Sequence, residues 1–168
     1  MRIKLFAALA AAAAGISLVA LSPASAVTRP QVFSLLEVSG PNRNLGPGNS
    51  FDESGPPTVG ARFAFTNGLY KWAGQKRGAR VGRLEGLCTI TKLDLAVRGA
   101  TIACTATAFL PSGELQAQGT LVFSQRSGPT NFISIVGGTR AYAGARGYVK
   151  STSLGNSNNS NDDFHLLP

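Results

Sequence analysis

The sequence of 168 residues is poor in the side chains that enzymes commonly use for metal binding and acid–base chemistry. It has one histidine, one tryptophan, two cysteines and eight acidic residues. The histidine, His165, lies beside Asp162 and Asp163 near the C-terminus, and this group offers few ligands for a metal ion. A Ser-His-Asp triad would need the same histidine. We therefore expect no metal site, and a solvated tail is the favoured interpretation of this segment.

Long helical patterns are also missing. The chain shows no amphipathic helix of useful length and no internal repeat, and beyond residue 26 no apolar run is long enough for a membrane-spanning helix. Arg2 and Lys4 precede an alanine-rich apolar run at 5–21, and the small residues at 24–26 fit a cleavage site. We expect residues 1–26 to be a secretion signal cut after Ala26; a retained membrane anchor is the alternative.

The remaining residues, 27–168, have the length of one domain. Without Arg2 and Lys4, lysines and arginines fall from 16 to 14 against 8 acidic residues, which lowers the net charge from +8 to +6. We expect a secreted, extracellular protein without stable insertion in a membrane.

The two cysteines permit a single pairing, and an exported protein can keep it oxidised. Cys88 and Cys104 lie in segments rich in threonine and isoleucine, which favour β-strands over helices. If these strands pair antiparallel about the turn near residues 97–99, Cys88 lies opposite Cys104. We expect a disulfide between them, contributing about 3 kcal/mol to stability in the chain-entropy model.

The side-chain period of two assigns one face of these strands to the inside of the fold. Many residues on that face are small: Gly86, Ala106, Ala108, Ala117 and Gly119. A sheet that curls with small residues inward either packs tightly or encloses a cavity. Both interpretations stay open at this point.

Further alternating segments complete the predicted fold. We expect strands at 31–39, at 60–70, three within 84–123, and at 130–136, 144–153 and 164–167. Residues 40–57, dense in Gly, Pro, Asn and Ser, predict a long flexible loop, and 154–161 predict a polar linker to the last strand. Eight strands joined by turns indicate an all-β fold, an eight-stranded antiparallel barrel or a sandwich.

The inward face of the second strand carries one polar residue. Asn67 alternates with Phe63, Phe65 and Leu69, so it is predicted to lie among apolar side chains. In the first strand, Glu37 lies on the face opposite Ser34 and Leu36, and no two carboxylates share an obvious inward face.

Residues 71–82 read as a turn rich in positive charge. Lys71, Lys76, Arg77 and Arg80 lie in it, and Arg83 follows. Such a patch is compatible with a nucleic-acid or lipid site. Only Tyr70 and Trp72 offer stacking, which is too little for a single-strand platform. A solvated loop is favoured, and we expect no nucleic-acid partner.

The glycine-rich string at 137–147 follows a strand but matches neither G-x-x-x-x-G-K-[ST] nor G-x-G-x-x-G. A strand follows it, whereas a nucleotide-binding loop leads into a helix. We predict a turn that needs positive φ angles.

Three groups of residues resemble a known family. Residues 65–70 (Phe-Thr-Asn-Gly-Leu-Tyr), Lys76-Arg77 and 86–88 (Gly-Leu-Cys) are similar to segments of plant allene oxide cyclases. Gly137-Gly138-Thr139 and Ala145-Arg146-Gly147 resemble a turn of plant dirigent proteins, which share that barrel. The resemblance spans about residues 31–153. It implies an eight-stranded antiparallel β-barrel with an apolar lumen.

The resemblance also implies a function. Proteins of this kind steer a reactive intermediate to one ring or stereoisomer without a cofactor, so we expect a cyclase or isomerase acting on a small apolar molecule in the lumen. A non-catalytic barrel that binds a hydrophobic ligand or has a structural role is the alternative. We also expect a homo-oligomer, a dimer or a trimer.

The matching positions define a predicted site. The catalytic candidates are Asn67, which matches a water-binding asparagine, and Ser34, at the position of the family's glutamate. The resemblance therefore implies that Ser34 and Leu36 face the lumen and that Glu37 points away from it. The predicted ligand-binding lumen consists of Phe63, Phe65, Asn67, Gly86, Ala106 and Ala108. Cys88 matches a cysteine near the substrate, but a disulfide would remove its thiol.

Overall fold

A computed structural model describes residues 27, 29–49, 56–73, 76–94, 99–124, 128–155, 157 and 159–168. The predicted signal at 1–26 lies outside these residues. The strands are β1 Gln31–Val38, β2 Asn42–Asn44, β3 Arg62–Ala73, β4 Lys76–Asp94, β5 Gly99–Leu110, β6 Gly113–Ser124, β7 Thr130–Gly138, β8 Arg146–Ser153 and β9 Ser160–Leu167. One 3-10 turn, Arg140–Tyr142, lies between β7 and β8.

The strands form a closed antiparallel barrel. From β3 to β9 each strand pairs with the next, and β1 closes the sheet by pairing with both β9 and β3. The short β2 pairs with β3 beyond the end of β1, so it extends the same seam and adds no strand to the circle. The predicted eight-stranded antiparallel barrel is confirmed.

The structure contains β2, Asn42–Asn44, inside the predicted loop at 40–57, and it departs from the predicted boundaries at two further places. The expected turn at 71–82 is mostly a hairpin, because β3 continues to Ala73 and β4 starts at Lys76. The expected linker at 154–161 overlaps β9, which starts at Ser160. In both places the strand is polar and lacks the alternation of apolar residues from which strands were predicted. Hydrogen bonds to a neighbouring strand stabilise it instead. The predicted turn near 97–99 lies partly outside the described residues.

The lumen holds two hydrophobic clusters. The first contains Val27, Leu35, Leu69, Ala108, Leu115, Ile135, Ala145, Val149, Phe164 and Leu166. The second contains Ala61, Phe63, Cys88, Ile90, Ala100 and Ile102, with Phe65, Cys104 and Leu121 packed against it. Two of the small inward residues serve packing. A Cβ on Gly86 would overlap the Phe65 ring, and one on Gly119 would lie 3.3 Å from Ile133.

The turn between β7 and β8 contains the expected positive φ angles. In the turn, Gly144 has φ 73° and Arg140 adopts φ 55° although it has a side chain; Gly147, at the start of β8, has φ 139°. A Cβ on Gly147 would overlap the carbonyl oxygen of His165. Glycine is therefore required where β8 begins to pair with β9.

Leu69 offers a direct test of the first cluster, because its side chain is fully buried there. We expect Leu69→Ala to lower the free energy of unfolding by about 2–5 kcal/mol, since the variant buries less apolar surface and leaves a cavity. Urea denaturation measures this change. The matched control is Leu167→Ala, which removes the same atoms from a leucine that is 47% exposed. Equal decreases in the two variants would contradict the assigned core.

Candidate functional site: a carboxyl pair in the barrel lumen

The orientation of β1 is the reverse of the predicted one. Its pairing with β9 places Phe33 opposite Phe164, Leu35 opposite Asp162 and Glu37 opposite Ser160. Phe33 stacks on Phe164 at 4.9 Å, and both belong to the packed interior, so Glu37 shares their inward face. Ser34 is exposed on the outer wall. The sequence does not decide which face of β1 is inside, because the adjacent Leu35 and Leu36 point to opposite faces of the strand. In the structure both are buried.

Glu37 is the centre of a polar cluster that faces the lumen. The Asn67 amide nitrogen donates a short hydrogen bond to its carboxylate. The Ser160 hydroxyl lies 3.1 Å from the other carboxylate oxygen and 2.8 Å from Oδ1 of Asp162. The cluster therefore joins side chains from β1, β3 and β9. The prediction that no two carboxylates share the inside is wrong.

Asn67 also ties this cluster to the chain that follows β1. Its amide oxygen accepts a 2.9 Å hydrogen bond from the backbone N–H of Gly40. The amide is thereby held with its nitrogen toward Glu37. As predicted, Asn67 lies on the inward face of β3 with Phe63, Phe65 and Leu69; its role in ligand binding remains a prediction.

Asp162 is the buried member of the carboxyl pair, with 3% of its surface exposed. Burial raises the pKa of its carboxyl well above the usual range, and the neighbouring charge and hydrogen bond of Glu37 raise it further. Hydrogen bonds from Ser151 and Ser160 oppose this shift. The dominant desolvation favours a neutral carboxylic acid, which can donate a hydrogen bond to Glu37.

The wall of the lumen formed by β3–β6 is largely apolar. Phe63 and Phe65 lie on it, and the Phe65 ring covers Gly86. Ala106 pairs with Gly86 and Ala117, and Ala108 is buried in the first cluster. The barrel thus sets this wall against the carboxyl pair carried by β1 and β9. Whether these predicted residues bind a ligand remains a prediction.

The disulfide spans two strands of the apolar wall. Cys88 and Cys104 are directly opposed in the β4–β5 ladder, with their Cα atoms 4.2 Å apart and their sulfurs bonded. The predicted pairing is confirmed. It indicates an oxidising environment, and it leaves neither cysteine as a thiol.

The C-terminal acids and histidine point in different directions. Asp163 and His165 lie on the outer wall, where the His165 ring stacks on Tyr148 at 4.5 Å and Asp163 accepts a 2.5 Å hydrogen bond from Ser34. Asp162 lies inside. The predicted solvated tail is therefore wrong, because the segment is a paired strand. In the sequence, Asp162 shares the period of two with Phe164 and Leu166, and this pattern was the available sign that Asp162 faces inward.

Two shallow depressions lie on the outer wall, away from the carboxyl pair. Their volumes are about 420 and 440 Å³, and both are bordered by Leu87, Thr105 and Gln118. All three side chains lie on the face opposite the disulfide and the lumen. These depressions therefore have no access to the polar cluster.

Comparisons with known proteins define the fold. No family model matches the sequence, and no curated protein matches it. A solved pyocyanin demethylase superposes with a TM-score of 0.61 at 19% identity, covering 82% of this chain and 100% of that one. The structure of a pterocarpan synthase dirigent protein gives 0.60 at 17% identity, with 83% and 94% covered.

An exo-specific intermolecular Diels-Alderase superposes with a TM-score of 0.58 at 18% identity, covering 82% of this chain and 96% of that one. The chain has the barrel fold of these three proteins. The predicted dirigent-like or cyclase-like barrel is confirmed as a fold. Identities of 17–19% show the fold alone, so the specific resemblance to allene oxide cyclases stays a prediction.

Among the residues that the structure describes, none forms a helix long and apolar enough to cross a bilayer.

Proposed function

We propose that this protein is a cofactor-independent isomerase or cyclase, with Glu37 and Asp162 as its acid–base pair. The observation that carries this proposal is the buried Asp162, whose raised pKa favours the protonated acid and whose carboxyl interacts with that of Glu37 inside the barrel. Two carboxyls whose environments differ can divide the roles of acid and base. Desolvated titratable groups with a specific charge partner are concentrated at functional sites.

The pair supports a balanced proton transfer. Glu37 removes a proton from a substrate C–H or O–H group, and the electron pair of that bond shifts within the substrate. Asp162 donates its proton to the oxygen or carbon where the electrons arrive. Glu37 is then the acid and Asp162 the carboxylate, and transfer through their hydrogen bond restores the starting state. No oxidant or second reactant is needed.

The surroundings of the carboxyl pair support a hydrophobic class of substrate. Phe63, Phe65 and the disulfide form an apolar wall, so the bulk of the substrate is a small hydrophobic molecule. One oxygen function is expected beside Asn67 and Ser160, both of which hydrogen-bond to Glu37. Holding the substrate between these walls also restricts its conformers, which by itself favours one ring closure or one stereoisomer.

Location and assembly belong to the same proposal. The disulfide supports export, and we infer that the signal at 1–26 is cleaved after Ala26. The mature chain would then act outside the cell on a small apolar molecule. A homo-oligomer, a dimer or a trimer, remains a prediction that native mass spectrometry of the purified protein can test.

Carboxamide substitutions test the proposed acid–base pair. An apolar extract of the producing culture is incubated in D2O with wild type, Glu37→Gln or Asp163→Asn, and new species are followed by liquid chromatography and mass spectrometry. We expect wild type to convert one compound into an isomer that carries deuterium. Glu37→Gln should be slower by at least about 100-fold, because general base catalysis contributes that much.

The control and the contrary results are specific. Asp163→Asn removes the adjacent carboxylate on the outer wall, so its rate should match that of wild type. A compound that co-purifies with the protein and is never converted would indicate the alternative, a binding barrel. Conversion that survives Glu37→Gln unchanged would place the chemistry elsewhere.

A further inference from the structure

The β3–β4 hairpin carries a concentration of positive charge that the lumen chemistry does not use. We define the basic hairpin as Lys71, Lys76, Arg77, Arg80 and Arg83 with the aromatic residue Tyr70. All five cationic residues are exposed. Because β1 and β3 run antiparallel, the end of β3 that carries Lys71 lies toward the start of β1, whereas Glu37 lies near the end of β1 and pairs with Leu69.

The charges of this hairpin have few acidic neighbours in the sequence, which has no aspartate or glutamate between Glu53 and Glu85. Within the described part of the chain, the one ion pair at this hairpin joins Arg83 to Glu85 at 2.6 Å. Arg77, Arg80 and Arg83 pair with Trp72, Tyr70 and Gly68, which share one face of β3, so the three guanidinium groups lie on one surface. The positive potential of that surface attracts anions.

Two arginines are held by aromatic rings. The Arg77 guanidinium lies 3.8 Å from the centre of the Tyr70 ring, and that of Arg83 lies 4.0 Å from the centre of the Phe109 ring. Stacking fixes the plane of the Arg77 guanidinium while leaving its N–H edge available, whereas Nε of Arg83 donates to Glu85. This arrangement suits phosphate oxygens, which accept two parallel hydrogen bonds from one arginine.

The arrangement of the charges favours a linear partner. Arg77, Arg80 and Arg83 follow one face of β4 over about six positions, roughly 20 Å at the usual strand rise. Among the described residues, arginines cover the Tyr70 and Phe109 rings, which leaves Trp72 as the aromatic side chain on this face of the hairpin without a stacked arginine. A single ring is too little for a base-stacking platform. The groups available to a partner are therefore chiefly cationic.

We propose that the basic hairpin binds a linear phosphate polymer without bases, lying along β4. Each phosphate would contact one or two cationic side chains, with Arg77 and Arg80 as central contacts. This binding site is separate from the carboxyl pair, and it would attach the protein to an anionic polymer while the lumen remains free.

Binding of fluorescent inorganic polyphosphate, followed by anisotropy over a range of salt concentrations, tests the proposal. We expect Arg77→Gln/Arg80→Gln to lower affinity by about 10-fold or more and to reduce the salt slope by about 2, one for each cationic side chain removed. The control is Arg62→Gln/Lys92→Gln, which removes the same charge from exposed sites at the opposite ends of β3 and β4 from the hairpin. It should change affinity by less than about 2-fold.

Further variants and probes separate the explanations. Arg77→Lys keeps the charge but removes the planar guanidinium group, so this variant should bind polyphosphate less tightly than wild type does. Equal decreases in affinity for the hairpin and control variants would show an effect of net charge and overturn the proposal. Tighter binding to single-stranded DNA than to polyphosphate would overturn it in favour of a nucleic acid. Hairpin-dependent binding to phosphatidylglycerol vesicles that polyphosphate does not compete would overturn it in favour of a membrane surface.

Discussion

Asp162→Asn is expected to stabilise the protein at neutral pH and to flatten the dependence of its stability on pH. The pKa of Asp162 is raised in the folded state, chiefly by burial and then by Glu37. An unfolded aspartate ionises near pH 4. The stabilising contribution of the protonated carboxyl is therefore complete below about pH 4 and is lost as pH rises toward the folded pKa.

The size of this effect follows from proton linkage. Over the pH range in which the unfolded chain has released the proton and the folded chain keeps it, the stability of wild type falls by about 1.4 kcal/mol per pH unit because of this group. Asparagine resembles the neutral acid in shape and can still accept from Ser160 and donate to Glu37. The variant has no titrating carboxyl at this position. The amount by which its free energy of unfolding exceeds that of wild type should therefore grow with pH.

Urea denaturation at several pH values between about 4 and 8 measures this difference. Asp163→Asn is the control, because it removes the neighbouring carboxylate from the outer wall of the same strand. Glu37→Gln should weaken the pH dependence partly, because the charge of Glu37 adds to burial in raising the pKa of Asp162. Parallel curves for wild type and Asp162→Asn would show that the buried carboxyl is ionised in the folded state.

Removing the disulfide should cost about 3 kcal/mol of stability in the chain-entropy model. Cys88 and Cys104 are separated by 16 positions and connect the neighbouring strands β4 and β5 of the apolar wall. Without the bond, the unfolded chain has more conformational freedom. In the folded state, no covalent bond then joins β4 to β5 within the second hydrophobic cluster. We expect Cys88→Ala/Cys104→Ala to lower Tm by roughly 6–12 °C for a domain of this size.

Reduction provides the control for this experiment. Wild type in a reductant should approach the stability of the double variant, whereas the double variant should not respond to the reductant. Titration of unfolded protein purified without reductant should find no free thiol. Two reactive thiols would contradict the disulfide and would return Cys88 to the lumen-facing groups that can react.

Several features of this fold followed from local sequence alone. The alternation from Phe63 to Leu69 identified the inward face of β3, because strand side chains alternate whatever the partner strand is. The pairing of Cys88 with Cys104 could be predicted from the sequence, because β4 and β5 are joined by one short connection that places the two cysteines opposite each other. The turn before β8 was recognisable because positive φ angles favour glycine.

The catalytic candidate depended on tertiary structure. Both faces of β1 carry a buried leucine, and only its pairing with β9 brings Glu37 inside. Asp162 and Glu37 lie near opposite ends of the sequence, so no local pattern brings them together. The hairpin at 71–82 and the start of β9 were missed for a related reason: polar strands are stabilised by hydrogen bonds to a neighbour, and closure of the barrel supplies that neighbour. Period and turn chemistry are properties of the local chain, whereas the facing of an ambiguous strand is decided by the strands beside it.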